Sequence, residues 1–536
     1  MRLTAVSILL AAAASGDSAS AVPPVIAPDG VVNAASYIPR GFSNHGIARG
    51  SLFLIFGDHL GPDTLVQAVS YPLTGADGLA GTRVRIDTEE YSSSALMVYT
   101  SSKQVAAILP SSAPEGNGTL TLTYNNVTSN PVPVRIVRSA LGIFTQNMGG
   151  TGPAVVQNLV SSTQTALNTL IASAAPGQIE ILWGTGLGPV TGNEAGGPLP
   201  GGLPYLDSML VGGQPAHVRY AGRSGCCAGI DQITFDVPAG VSGCYVPVAA
   251  ITGGVVSNFG TISVSTSGSE CDDPLTFRAS GLVTVEQTGR LRLGTIEILH
   301  ETPVGQTVGS NSLMASFLSY TTAALLTALP QPFNIPVGSC LLSQSAVGSG
   351  LPASGDPLNA GGALDTTGPG VDFMAGSASP GIYSVGPVQG SFASGTYDVT
   401  GPGGPDVGAF LSTFSENVPV VWTNASDFLN RTVALAQPMT FSWTGGDAEG
   451  YVRIRIASAN GTLASSIFCN APTASGRLTV PAYLTAGLIP GAGTVEVGST
   501  GNRIPFSAPG LDVGTVAAES STEVQTNFQM HSDSGN

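Results

Sequence analysis

The sequence predicts an all-β protein, with tandem immunoglobulin-like β-sandwiches followed by a further sandwich-like β region. An internal repeat, a composition of strand and turn formers, and apolar runs of strand length predict it. The segment Gly50-Ser-Leu-Phe-Leu-Ile-Phe-Gly57-Asp-His-Leu60-Gly61-Pro62 recurs as Gly177-Gln-Ile-Glu-Ile-Leu-Trp-Gly184-Thr-Gly-Leu187-Gly188-Pro189, displaced by 127 positions. Gln104 to Pro110 recurs as Gln232 to Pro238, and Ser129-Asn130 as Ser257-Asn258, both displaced by 128. A match sustained over such a period marks two copies of one small domain. Glycine (71) and proline (38) are abundant, charged residues make up only 10 %, and Lys103 is the only lysine. Valine, threonine, isoleucine and serine fill the remainder, as a turn-rich β protein requires.

In chain order, the first element is a leader. Arg2 supplies a positive start, Leu3 to Ala14 an apolar stretch, and Ser18-Ala19-Ser20-Ala21 the small residues that signal peptidase accepts. Residues 1–21 therefore read as a signal peptide cleaved after Ala21, and the mature chain as exported, whether extracellular, cell-surface or periplasmic. No later stretch reads as a membrane span, since Ser, Tyr and Thr interrupt Leu313 to Leu329. The net charge of −16 excludes nucleic acid and anionic membrane surfaces as partners.

The two copies occupy 29–138 and 139–268. Leu52 to Phe56 and Ile179 to Trp183 are short apolar runs ended by glycine, read as buried strands. Thr119 to Tyr124 alternates with period two, as a half-buried strand does. Turn residues such as Pro114 to Gly118 and Pro238 to Gly240 break the runs at the spacing of an immunoglobulin-like sandwich. The second copy carries an insertion, Gly222-Arg-Ser-Gly-Cys226-Cys227-Ala-Gly229, read as a loop. Cys226, Cys227, Cys244 and Cys271 cluster in this copy, and Cys340 and Cys469 follow later. An even count in an exported chain favours disulfides, and the first four are expected to pair among themselves, with Cys340–Cys469 as a further candidate. Adjacent Cys226-Cys227 does not supply zinc-ligand spacing.

Val31-Val-Asn33-Ala34-Ala35-Ser36-Tyr37, Leu141-Gly-Ile143-Phe144-Thr145, Thr185-Gly186-Leu187-Gly188-Pro189 and Cys226-Cys227-Ala-Gly-Ile-Asp231-Gln232-Ile233 resemble an uncharacterised family of exported acidobacterial proteins with tandem IPT/TIG-like units. The resemblance covers about residues 29 to 270 and departs from the family's pattern at Ser139-Ala-Leu-Gly, where proline is expected before the glycine. It implies an immunoglobulin-like fold and export, with no activity and no catalytic residues to carry over.

Residues 286–510 read as a β-rich C-terminal region with room for two subdomains. Met439, Phe441 and Trp443 share one face of a strand, Gly445 to Gly450 turns the chain, and Tyr451 to Ile456 returns. This reads as a hairpin with Val452, Ile454 and Ile456 inward and Arg453 and Arg455 outward. Ser345 to Gly370 reads as loop, and residues 511–536, polar from about Glu519, as a disordered tail.

Catalytic spacing is absent from the sequence. The five histidines, His45, His59, His217, His300 and His531, form no HExxH pair, and no serine lies in a GxSxG elbow. Gly184 to Gly188 mimics a phosphate loop, but Pro189 follows in place of a helix. No catalytic or cofactor-binding residue is assigned. Calcium is the one cation that acidic turns could hold, through Asp447 and Glu449 or through Asp272 and Asp273. Two functional classes follow. The first is a non-catalytic exported protein of surface architecture, adhesion or glycan or protein binding, with Trp422, Tyr451 or Tyr483 as candidate sugar-stacking residues. The second is a secreted hydrolase with accessory immunoglobulin-like units and its catalyst in 286–510, which would need paired carboxylates or a triad there.

Overall fold

The computed structural model describes residues 22–530 apart from 267–268, 274–277, 305–307, 322–323, 325–334, 349–354, 391–394, 417–418 and 501–502. The expected signal peptide over 1–21, its expected cleavage point and His531 lie outside the described residues.

The first copy is a sandwich of a five-stranded and a six-stranded sheet. Phe53, Ile55 and Val105 from one sheet meet Val84, Leu120 and Ile136 from the other in a single core. The second copy repeats this with Leu182, Ile233 and Phe235 against Met209, Val248 and Ile262. The displacement seen in the sequence is kept in the pairing. Leu52 lies opposite Ile108 and Phe56 opposite Gln104, as Ile179 lies opposite Asp236 and Trp183 opposite Gln232.

Two repeated features have direct physical causes. Ser129 accepts from the Leu122 amide at 3.0 Å, and Asn130 holds both backbone polar groups of Ile26, at 2.8 and 3.1 Å. Ser257 does the same for Ala250 at 3.0 Å, and Asn258 for Ile143 at 2.7 and 2.9 Å. Each Ser-Asn pair thus ties one sheet to the entering strand, replacing ladder bonds that an edge would lack. Gly57 and Gly184 sit where that strand crosses closely. A Cβ there would come within 2.1 Å of the Val25 carbonyl and 2.5 Å of the Gly142 carbonyl respectively.

The C-terminal region starts with the helix Ala279–Thr288 and the long paired strands Arg290–Glu301 and Gly309–Thr321. Its fifteen-stranded sheet is continuous but serves two cores. At one end the sheet faces a three-stranded sheet over Trp422, Phe441, Trp443, Ile454 and Ile467. At the other it curls around Phe317, Tyr383, Tyr397, Phe410 and Phe506. The region therefore holds two packed halves joined through one set of backbone hydrogen bonds.

Three expectations are corrected here. Residues 513–530 are no disordered tail: Val513–Met530 is an 18-residue strand inside the large sheet. It buries Val516, Val524 and Phe528 on one face and carries Glu519 and Glu523 on the other, so its polarity is that of a single face. Met439–Gly445 and Tyr451–Ala459 form no hairpin. The first pairs with Val420–Trp422 and Arg477–Val480, the second with Leu463–Pro472 and Gly491–Thr500, so the two strands belong to opposite sheets. Gly445 to Gly450 is an arch between layers, and the apolar faces at Met439 and Val452 still meet, across the core. Within the stretch read as loop, Ala363–Gly368 forms a strand.

The cysteines correct a fourth. Cys244 pairs with Cys271 and Cys340 with Cys469, while Cys226 and Cys227 are exposed free thiols. The insertion that carries them leans on the first sandwich, whereas Cys244 packs with Leu282 and Leu291 at the junction with the C-terminal region. Opposite ends of one sandwich are beyond the reach of a disulfide. Cys340 and Cys469 are direct cross-strand neighbours within one half of the C-terminal region.

Candidate functional site

The most elaborate polar site joins the two repeats. In the first sandwich, the Ser111 amide and hydroxyl donate to the two carboxylate oxygens of Glu194 in the second, at 2.7 and 2.9 Å. The Val190 amide donates to the Ser111 hydroxyl at 2.9 Å. Behind them Arg223 and Asp231, 1 % and 0 % exposed, lie 2.8 Å apart. Asp231 also accepts from the Gly186 and Leu187 amides, both at 2.7 Å, and Arg223 donates to the Gly188 carbonyl at 2.9 Å. Burial pushes the Asp231 carboxyl above its ordinary range, against the pull of Arg223 and the two amides.

The inserted loop explains itself here. Its Ala228 amide donates to the Tyr71 hydroxyl at 3.1 Å, and Gly229 sits against Ile108. Thr185 donates to the Gly229 carbonyl at 2.6 Å and accepts from the Leu52 amide at 2.8 Å, so one hydroxyl bridges both sandwiches. Gly50, at φ +75°, approaches Ser111, Arg223 and Glu194 so closely that a Cβ would lie within 3 Å of all three. Only glycine fits there.

Sequence reasoning named Thr185 and Asp231 within motifs but missed Ser111, Glu194 and Arg223 as a set. Arg223 sits inside the inserted loop segment, the one signal that pointed to this end of the domain.

In the C-terminal region the carboxylates gather on one face of the large sheet. Arg453, only 6 % exposed and expected to point outward, is covered by Glu519, with which it pairs. Arg503 pairs with Glu297 at 2.8 Å, and Arg455 approaches Glu496 at 3.9 Å. Glu523 lies directly across from Glu496. Burial first, then Glu301 and Glu496, raise its pKa.

The residues singled out in the sequence fall as follows. Trp422 is buried beside Phe428 and Phe441, Tyr451 is buried next to Arg453, and Tyr483 packs against the same core. Trp422 and Tyr451 are thus closed to a stacking sugar. Asp447 caps its own turn by accepting from the Glu449 amide at 3.1 Å. Asp272 lies 3.7 Å from Arg278 and accepts from the Ala279 amide, and Asp273 is buried. Among the described residues no three His, Cys, Asp or Glu side chains converge as metal ligands. Asp58 is exposed and paired with Lys103, and its neighbour His59 is exposed as well. Among the described residues no helix is long and apolar enough to cross a membrane.

No protein-family profile and no curated protein sequence matches the chain. Among solved structures it is similar to a tetra-tandem repeat in the extending region of a large adhesion protein, at 13 % identity and TM-score 0.13, covering 91 % of this chain and 97 % of that one. Domains 5-6 of the S-layer protein SbsC match at 12 % identity and TM-score 0.16 over 46 % and 99 %. The Bacteroides ovatus mixed-linkage glucan utilization locus SGBP-B, solved in complex with a mixed-linkage heptasaccharide, matches at 10 % identity and TM-score 0.14 over 86 % and 90 %. Scores this low establish neither a shared arrangement nor a shared function. The tandem immunoglobulin-like architecture stands on this chain's own topology.

Proposed function

We propose that this chain is an exported, non-catalytic protein of the cell surface, acting in surface architecture or adhesion and offering a binding surface to an extracellular glycan or protein. We read its two repeats as IPT/TIG-like units of the exported acidobacterial group, on the motifs quoted above. The observation that carries the reading is the joint between the repeats. The buried Glu194 carboxylate, held by the Ser111 amide and hydroxyl, and the bridging Thr185 hydroxyl hold two sandwiches in one orientation, which a rigid presenting arm needs and a flexible tether does not. The two disulfides suit an oxidising compartment.

The test is to express the full chain with its leader in a bacterial host and sequence the exported product. A mature terminus at Val22 and binding to cells or polysaccharide without turnover support the reading; retention in the cytoplasm overturns it. Calcium is assigned to the turns at Asp447–Glu449 or Asp272–Asp273 within the same reading, and a rise in Tm on adding calcium, reversed by chelator, checks it. The hydrolase reading has one observation in its favour, the approach of Glu297 and Glu496 to Glu519, which pairs with Arg453. Turnover of a polysaccharide or ester that Glu519→Gln abolishes would establish it in place of the binding role.

A further inference from the structure

A cleft of about 640 Å³ opens between the first sandwich and the C-terminal region. That volume lies within the range of small-ligand sites. One wall carries Arg40, His45 and Arg135, and the other Ile489, Pro490 and Met530. The cleft is held in shape. Asn44 donates to Gln344 of the C-terminal region at 2.7 Å and to the Val256 carbonyl of the second sandwich at 3.2 Å, while Ile38 and Phe42 bury against Leu463 and Ile489. A site fixed from three sides loses little entropy on binding.

The charge of this wall runs against that of the molecule. The chain has 34 acidic and 18 basic residues, yet two guanidiniums and an imidazole meet here and, among the described residues, no carboxylate lines the cleft. Neither Arg40 nor Arg135 has an ion-pair partner among the described residues, and both are exposed. His45 is held below its ordinary pKa by burial first and then by both arginines, which places the three groups together, while Asp29 acts in the opposite sense. The Ile38 carbonyl, 3.0 Å from His45 Nδ1, can only accept, so Nδ1 carries the proton and Nε2 remains for a ligand.

We propose that this cleft binds a uronic-acid-containing polysaccharide, with Arg40 and Arg135 on its carboxylates and Ile489, Pro490 and Met530 against the apolar face of the sugar rings. The planar guanidinium fork matches a carboxylate bidentately. The apolar wall, with Met530 53 % exposed, favours a ring over a bare inorganic anion. The inference deepens the glycan-binding reading and rests on it.

The full mature chain is tested by affinity electrophoresis and calorimetry on polygalacturonate, fully methyl-esterified pectin, pullulan and polyphosphate. Polygalacturonate should bind, and Arg40→Gln/Arg135→Gln should weaken it at least about tenfold, the loss of two charge-assisted contacts. Both arginines are surface residues, so the variant should keep its Tm, and Met530→Ala should weaken binding independently. Equal binding of polygalacturonate by the double variant, or of the methyl ester or polyphosphate by the native chain, overturns the proposal. Binding of pullulan alone overturns it while leaving the glycan reading intact; binding of none of the four removes both.

Discussion

The two repeats share their strand pairing and differ most at matching ends. At the end of its central strands the first sandwich carries Asp58-His59 and Lys103; the second carries Thr185-Gly186 and Asp231 at the matching positions. Asp58 and Lys103 form an exposed pair, whereas Asp231 is buried against Arg223 and two backbone amides. Inside, Phe53 fills the first core where Glu180 occupies the second. The same scaffold thus places a free surface and a sealed joint at one topological position. Small residues decide which: Thr185 bridges, and Gly186, at φ +107°, lets the Ala140 carbonyl approach. The two copies keep one strand pairing while single positions, at their ends and once inside, set them apart.

The comparison can be broken at the joint first. Arg223→Met leaves Asp231 buried and unpaired, and should destabilise the chain by about 3–5 kcal/mol in denaturant titration. Replacing Asp231 as well by an apolar residue should recover most of that loss. Next is the core difference. Both Glu180 oxygens are buried without a hydrogen-bond partner among the described residues, and burial pushes the carboxyl from 4.5 up to about 8. Between those values the folded state holds more protons than the unfolded one, so stability falls as pH rises from about 4.5 to 8. Glu180→Gln should flatten that slope and raise stability at pH 8 by on the order of 3 kcal/mol, read from Tm against pH. A slope unchanged in the variant would mean that another group sets it.

Thr185→Val removes the bridging hydroxyl and leaves the Leu52 amide without its acceptor. A loss of about 1–2 kcal/mol is expected, with faster hydrogen exchange at Leu52 as the local signature. Asp58→Asn should leave Tm unchanged, because its pair with Lys103 stands in water; a measurable loss there would erase the contrast between the two ends.

The repeat, the sandwiches and the alternation at Leu120 and Leu122 were legible because burial imposes period two and the turns impose glycine. The joint was not legible: Ser111, Glu194 and Arg223 lie far apart in sequence, and nothing in their spacing says that they meet. The apolar face of the Tyr451 strand was read correctly, but not its partner or the burial of Arg453, since an arch and a hairpin carry the same turn residues and the same inward pattern. The Val513–Met530 strand was missed because Glu519 and Glu523 stand on the face where Arg453 and Arg455 receive them. The cationic cleft lay equally hidden: Arg40 and Arg135 lie far apart in sequence and meet only in the folded first sandwich, and the facing apolar wall comes from the C-terminal region.

The placement of Val513–Met530 has a consequence for how the molecule comes into being. It lies between Gly491–Thr500 and Arg290–Glu301, pairing in parallel with a strand more than two hundred residues earlier. The two repeats can condense as soon as each has been synthesised, because each core closes within its own repeat. The great sheet behind them cannot, since its middle rung arrives after nearly everything it joins. Contacts of such long range slow folding and leave open edges waiting. The nascent chain is therefore a pair of finished modules followed by an unfinished one, and this is the stage at which chaperones and proteases would have most to act upon.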